Sequence, residues 1–167
     1  MLSEKRASIR SSYLRYDVLV QKEKERGTYM NILFFITPKE DVAFVYDTDN
    51  IRQVLGKMHY HRYSSVPMLS KDGKYVGTIT EGDLLWGLKE FNLFSLKDAE
   101  DCPVTVFQRK HHYLPVHVET NMEDLIEKAM NQNYVPVIDD EGYFIGIIRR
   151  KEIIQYCYNK IKTLSSK

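Results

Sequence analysis

The chain has 167 residues, 43% of them hydrophobic and 28% charged, with a formal net charge of +1. That composition is globular, and so near a balance of charge excludes a global attraction to nucleic acid or acidic lipid; either would need a local patch. Cys102 and Cys157 match no zinc or redox spacing and read as free thiols of a reducing compartment, here the cytoplasm. The longest early apolar run, Ile32 to Ile36, is far too short for a membrane span, and the basic N-terminus has no apolar stretch after it to make a secretory signal.

Taken in chain order, residues 1–29 come first. Ile9, Tyr13, Tyr16 and Val20 fall on one helical face. Lys5, Arg6, Arg10, Arg15, Lys22, Lys24 and Arg26 are mixed with Glu23 and Glu25, as on a solvated face. The segment is expected to be an extra amphipathic helix that caps the module or a dimer seam, in preference to a nucleic-acid or membrane contact. A strand is expected in "VAFVY" from Val42, then cap-type residues Asp47 and Thr48. A helix follows, with Ile51, Val54, Leu55 and Met58 spaced i, i+3, i+4, i+7. Next come a strand through Pro67, a tight "KDG" turn at Lys71 to Gly73, a second strand through Gly77, and a helix starting near Asp83.

The same series then returns. "YLPVHV" from Tyr113 is a strand candidate, and Glu119 and Thr120 are cap-type residues. Met122, Leu125, Ile126 and Ala129 repeat the helical spacing. Pro136, Gly142, Gly146 and Glu152 repeat Pro67, Gly73, Gly77 and Asp83 at a constant offset of 69 (136 − 67; 152 − 83). The helices are offset by 71 (122 − 51), so the second copy lacks two residues in the turn before Val135. In the last helix, Ile153, Ile154, Cys157, Tyr158 and Ile161 form an apolar stripe expected to face the core. Each copy has only one sheet and two helices for a core, so the two are expected to pack sheet to sheet.

Two tandem units reading "VPM…G…VGTITEGDL" and "VPV…G…IGIIRRKEI" resemble a pair of CBS domains, the Bateman module, and in particular its small stand-alone bacterial members. The resemblance covers Ile32 to Ile161. It implies an α/β (α+β) fold of two β-α-β-β-α units in a pseudo-symmetric pair, over residues 30–96 and 97–167. It also implies a regulatory sensor without catalytic activity or prosthetic group. An adenine nucleotide (AMP, ADP or ATP) or cyclic di-AMP would bind in a cleft between the units. A homodimer and a protein effector of unknown identity are implied as partners.

The resemblance assigns ligand-binding roles residue by residue. Thr80 and Asp83 fit the family's Thr-x-x-Asp ribose clamp; their alternative is a plain helix cap. Thr37, Lys39, Val42 and Ala43 lie in the stretch that enters the first cleft, with Lys39 in reach of phosphate or simply solvated. Ser64, Ser65 and Val66 would line the base slot; their alternative is turn chemistry before a strand. In the second copy Arg149 replaces Thr80 and Glu152 replaces Asp83, so that cleft would be empty or bind differently. Arg149 and Arg150 suit phosphate at a helix N-terminus, pointing to different sides. Lys110 corresponds to Lys39. His111 and His112 are adjacent on an extended segment, so they would not chelate one metal ion together and read as a polar rim.

Two rival classes stand beside this reading. An enzyme has no support: there is no phosphate loop, dinucleotide fingerprint, motif-backed Ser-His-Asp set or His-x-x-x-His pattern. A ligand-free interaction module draws support from twelve tyrosines.

Overall fold

A computed structural model describes residues 32–93, 95–110 and 112–165. The N-terminal helix expected over residues 1–29 lies outside them. Strand β1 is Ile36–Pro38. The first unit then runs β2 (Val45–Tyr46), α1 (Ile51–His61), β3 (Ser65–Leu69), β4 (Tyr75–Thr80) and α2 (Glu81–Glu90). A short helix α3, Leu96–Glu100, leads to the second unit. That unit runs β5 (Val116–His117), α4 (Met122–Asn131), β6 (Tyr134–Ile138), β7 (Phe144–Arg149) and α5 (Arg150–Ser165).

Local chemistry explains the punctuation. Helix α1 starts at Asn50, whose side chain accepts from the Gln53 amide at 2.9 Å while Gln53 accepts from the Asn50 amide at 2.8 Å. Asn121 caps α4 in the same place. The caps are therefore these asparagines, not Asp47-Thr48 and Glu119-Thr120; an amide one residue before the helix meets the free N–H groups directly. Gly73 and Gly142 have φ of +93° and +86°, a conformation the tight turns require and side chains resist. The strands before each helix are shorter than expected, because only Val45–Tyr46 and Val116–His117 find ladder partners.

The sheets have the orders β2-β3-β4 and β1-β7-β6-β5. The flanking segments are exchanged between the units. Strand β1 precedes the first unit in the chain but pairs antiparallel with β7, Thr37 opposite Ile147 and Pro38 opposite Gly146. Ile32 is buried in the second unit's core with Val116, Leu125 and Ile148. Conversely, Ala99, Val104 and Phe107, which follow the first unit, are buried in its core with Val45, Ile51 and Ile79.

A third cluster joins the units: Val42, Leu69, Tyr113, Tyr134, Phe144 and Ile147. The two hairpin turns also pair across this seam, the Tyr75 amide donating to the Gly142 carbonyl at 3.1 Å and the Phe144 amide to the Gly73 carbonyl at 3.0 Å. The α5 stripe is not the buried face expected. Ile153 is buried, but Ile154, Tyr158 and Ile161 are about 60% exposed (60%, 59% and 63%). α5 meets its own unit along the edge that carries Ile153 and Cys157, and the rest of the stripe faces outward.

Candidate functional site

A cavity of about 490 Å³ opens at the seam between the units. Its apolar wall is Val42, Ala43, Pro67 and Ile147. Tyr63, Ser64, Ser65, Asn133 and Tyr134 add hydroxyl and amide groups, and Arg62, Arg149 and Lys151 set three cations against one acid, Asp41. Such a space is of ligand size, and its division into an apolar wall and a cationic rim suits a flat apolar ring joined to an anion.

Each wall has a structural origin. Strand alternation turns Ser65 and Pro67 toward the seam while Val66 and Met68 enter the first unit's core. The exchange of β1 onto β7 brings the following Asp41, Val42 and Ala43 beside the second unit, where they share the cavity wall with Ile147 and Arg149. Arg62 arrives because α1 and its turn are two residues longer than α4 and its turn (Ile51 to Ser64 is 14 residues, Met122 to Asn133 is 12). The extra length is closed by Arg62 in the left-handed conformation, φ 57°.

Behind the cavity lies a buried hydroxyl chain. Tyr134 OH and Thr78 Oγ1 are 2.7 Å apart, Thr78 Oγ1 and Tyr75 OH are 2.9 Å apart, and Tyr75 OH donates to the Tyr113 carbonyl at 3.0 Å. Burial pushes the Tyr134 phenol well above its ordinary range, and the nearby Tyr75 adds to the rise. Burial raises Tyr75 in the same direction.

Of the residues expected at the ligand, the structure gathers Val42, Ala43, Ser64, Ser65 and Arg149 around this one cavity. It does not bring Asp83 to them. Thr80 and Asp83 form a capping box for α2: the Asp83 amide donates to Thr80 Oγ1 at 3.1 Å, and Asp83 Oδ2 accepts from the Thr80 amide at 2.9 Å and its hydroxyl at 2.7 Å. Asp83 Oδ1 accepts from the Lys110 amide at 3.0 Å. The grouping of Val42 and Ala43 with Asp83 in one cleft is thus corrected by the strand exchange. Val66 is corrected too: it is fully buried on the core face of β3.

The remaining candidates lie off the cavity wall. Thr37 is held in the β1–β7 ladder. The Lys39 ammonium sits 5.6 Å over the Phe44 ring. The Arg150 guanidinium donates to Asn133 Oδ1 and its amide to the Asn133 carbonyl at 3.1 Å, which ties it to a residue of the cavity wall. Glu152 lies 3.8 Å from the Lys151 ammonium. His112 is exposed, and His111 lies outside the described residues. Arg62, Tyr63, Asn133, Tyr134 and Lys151 were missed. The repeat itself held a signal for two of them, since Asn133 and Tyr134 stand where Ser64 and Ser65 stand in the first copy.

Among the described residues no three His, Cys, Asp or Glu side chains cluster as for a metal ion, and no helix is long and apolar enough to cross a membrane. The CBS domain family model matches residues 35–90 and 106–159. A curated relative, the chloroplastic CBS domain-containing protein CBSX1 of Arabidopsis thaliana, is 24% identical over 92% of this chain and 75% of its own length. Among solved structures, CbpB in complex with c-di-AMP is 25% identical with a TM-score of 0.71, covering 89% of this chain and 98% of that one. CBSX2 in complex with AMP is 22% identical with a TM-score of 0.63, covering 81% of this chain and 99% of that one, a likeness of fold.

Proposed function

The chain belongs to the CBS-domain family as a tandem pair of units, and from that premise we propose that it is a regulatory sensor of an adenine nucleotide, bound in the seam cavity and not at Asp83. The observation that carries this reading is the cavity itself: an apolar slot from Val42, Ala43, Pro67 and Ile147 beside Arg62, Arg149 and Lys151. The base would lie in the slot and the phosphate against the arginines, whose planar forks match phosphate oxygens. Ser64 and Ser65 offer hydroxyls to the base or sugar.

AMP, ADP or ATP is the first ligand class. Cyclic di-AMP is a second reading, favoured by the similarity to the CbpB complex over nearly the whole of both chains. The module acts without chemistry: the ligand shifts the arrangement of the two units by binding one arrangement better, and a protein effector reads the shift. A homodimer is the proposed assembly, in the cytoplasm. Leu85 on α2 and Ile154 on α5 occupy equivalent places in the two units, and each is 60% exposed.

A thermal-shift panel tests the reading, with AMP, ADP, ATP, S-adenosylmethionine and cyclic di-AMP, and GMP as control. A ligand at about a hundred times its dissociation constant adds roughly 2.7 kcal/mol, several degrees at this size. One adenine ligand should raise the melting temperature, and Arg149→Ala should abolish the rise. Silence across the whole panel would remove the nucleotide reading and leave the interaction module.

A further inference from the structure

The internal repeat predicts two clefts at the seam, one beside Arg149 and one beside its counterpart Thr80. We infer that the second of these is occupied by the chain itself, with the Lys110 amide seated on Asp83 in place of a ligand hydroxyl, so that the protein binds one nucleotide per chain. The count of ligands rests on the nucleotide reading above; the closure does not.

Val42 and Ala43, on the open cavity's wall, correspond to Tyr113 and Leu114 at the offset of 71 (113 − 42). Both positions are buried, Val42 at 7% and Tyr113 at 8% exposure, but the tyrosine is the larger side chain and its ring reaches to 5.1 Å from that of Tyr134. The phenol also accepts from the Asn133 amide at 3.3 Å. Tyr63, on the open wall, corresponds to Gln132 (132 − 63 = 69). Gln132 is 4% exposed and clamps the backbone of Leu114 from both sides, accepting from its amide at 2.9 Å and donating to its carbonyl at 3.2 Å.

The polar end is closed in the same way. Arg109 lies across β4, its guanidinium donating to the Val76 carbonyl at 3.0 Å, over the face that Gly77 leaves bare. The next residue, Lys110, donates its amide to Asp83 Oδ1. With Oδ2 already taken by the cap, the buried carboxylate has both oxygens engaged. A buried carboxylate at a helix N-terminus is an acceptor that a sugar diol could use, and a backbone N–H presents the same donor without any association cost. An incoming ligand must displace that bond before it gains its own. At the Arg149 end there is no matching carboxylate bond: Glu152 faces Lys151, and the arginine stays on the cavity wall.

Two measurements test this. Isothermal titration with AMP and with cyclic di-AMP should count one equivalent per chain, lost in Arg149→Ala. Lys110→Pro deletes the amide donor, and Lys110→Ala keeps it. The proline variant should take up a second equivalent that survives Arg149→Ala and disappears in Asp83→Ala, while the alanine variant stays at one. A wild type that binds two equivalents, one of them indifferent to Arg149→Ala, overturns the inference. So does a folded Lys110→Pro that still binds one. Amide hydrogen exchange without ligand decides the closure independently. The Lys110 amide should be protected, and Asp83→Ala should speed its exchange roughly tenfold or more, as expected when a local bond is lost. Thr80→Ala, which weakens only the cap, should leave Lys110 protected. An unprotected Lys110 amide sinks the closure even if the protein folds poorly as Lys110→Pro. If no nucleotide binds at all, the functional reading fails while the exchange result still judges the closure.

Discussion

The two copies of the repeat share turns, caps and strands, yet their inner ends do different things. At the β7 end, Arg149 stands on the wall of an open cavity shared with Val42, Ala43, Ser64 and Ser65. At the β4 end, Thr80 and Asp83 are bonded to each other and to Lys110, and Tyr113 fills the space. Duplication supplies two equivalent places at the seam, and a few side-chain sizes decide which stays open. The buried Tyr113, standing where the first copy has Val42, carries most of that difference.

The sharpest way to break the comparison uses the twin glycines. A Cβ on Gly146 would meet the Thr37 carbonyl oxygen at 2.2 Å, a backbone atom held in the β1–β7 ladder. A Cβ on Gly77 would meet only the end of the Arg109 side chain. Gly146→Ala should therefore cost about 3 kcal/mol, the upper range for overpacking, and detach β1 together with the cavity wall that follows it. Gly77→Ala should cost less, about 2 kcal/mol: the Arg109 guanidinium can swing away at the loss of one hydrogen bond, and the rest is the φ of +159° that a side chain resists. Chemical denaturation of both variants checks the ratio; equal losses would contradict the exchange of flanking segments.

The hydroxyl chain distinguishes the copies next. Thr78 and Ile147 are equivalent positions facing the same seam. Thr78→Val leaves the Tyr134 phenol buried without its partner, which should cost about 2 kcal/mol. Ionisation tests the same chain. The raised Tyr75 and Tyr134 phenols stay protonated in the fold, while the unfolded chain loses those protons near pH 10. Their stability contribution is thus whole below about pH 10 and lost as pH rises above it. Melting temperatures from pH 8 to 11 should fall at the alkaline end, and Tyr75→Phe should flatten part of the fall. A fall unchanged in that variant would assign it to other groups.

How much of this was legible in the sequence follows from what each signal reports. Gly73 and Gly142 were readable because their positive φ leaves little choice of residue. The helices were readable from their spacing. That spacing gives a face without saying what covers it, which is why Ile154, Tyr158 and Ile161 were expected inside and lie outside. Val66 was misplaced by one step of the strand period. The larger error was to group Val42 and Ala43 with Asp83 by position in the repeat. β1 crosses to β7, and no local pattern encodes that pairing. Arg62 reaches the cavity through a left-handed helix end, which its residue type does not announce.

The smallest effects separate the two ends most cleanly, because they should cross. Thr80→Ala removes half of a capping box and should cost about 1 kcal/mol of stability. Its hydroxyl is spent within the cap, and its ladder contact with Ser65 is made by the backbone, so the shift given by a bound nucleotide should be unchanged. Arg149→Ala should behave in the opposite way. Its side chain is exposed and caps nothing, so stability should stay within about 0.5 kcal/mol of wild type, the usual range for a surface change. Nucleotide binding should nevertheless be lost, since a charge-assisted contact to phosphate is removed. The measurement is one thermal-shift plate: two variants, each with and without ligand. If Thr80→Ala lost the ligand response and Arg149→Ala kept it, the working site would be the β4 end after all. The closure by Lys110 would then have to open in solution. If both variants lost the response, the two ends would be coupled through the seam, and the hydroxyl chain from Tyr134 to the Tyr113 carbonyl is the bonded path that joins them.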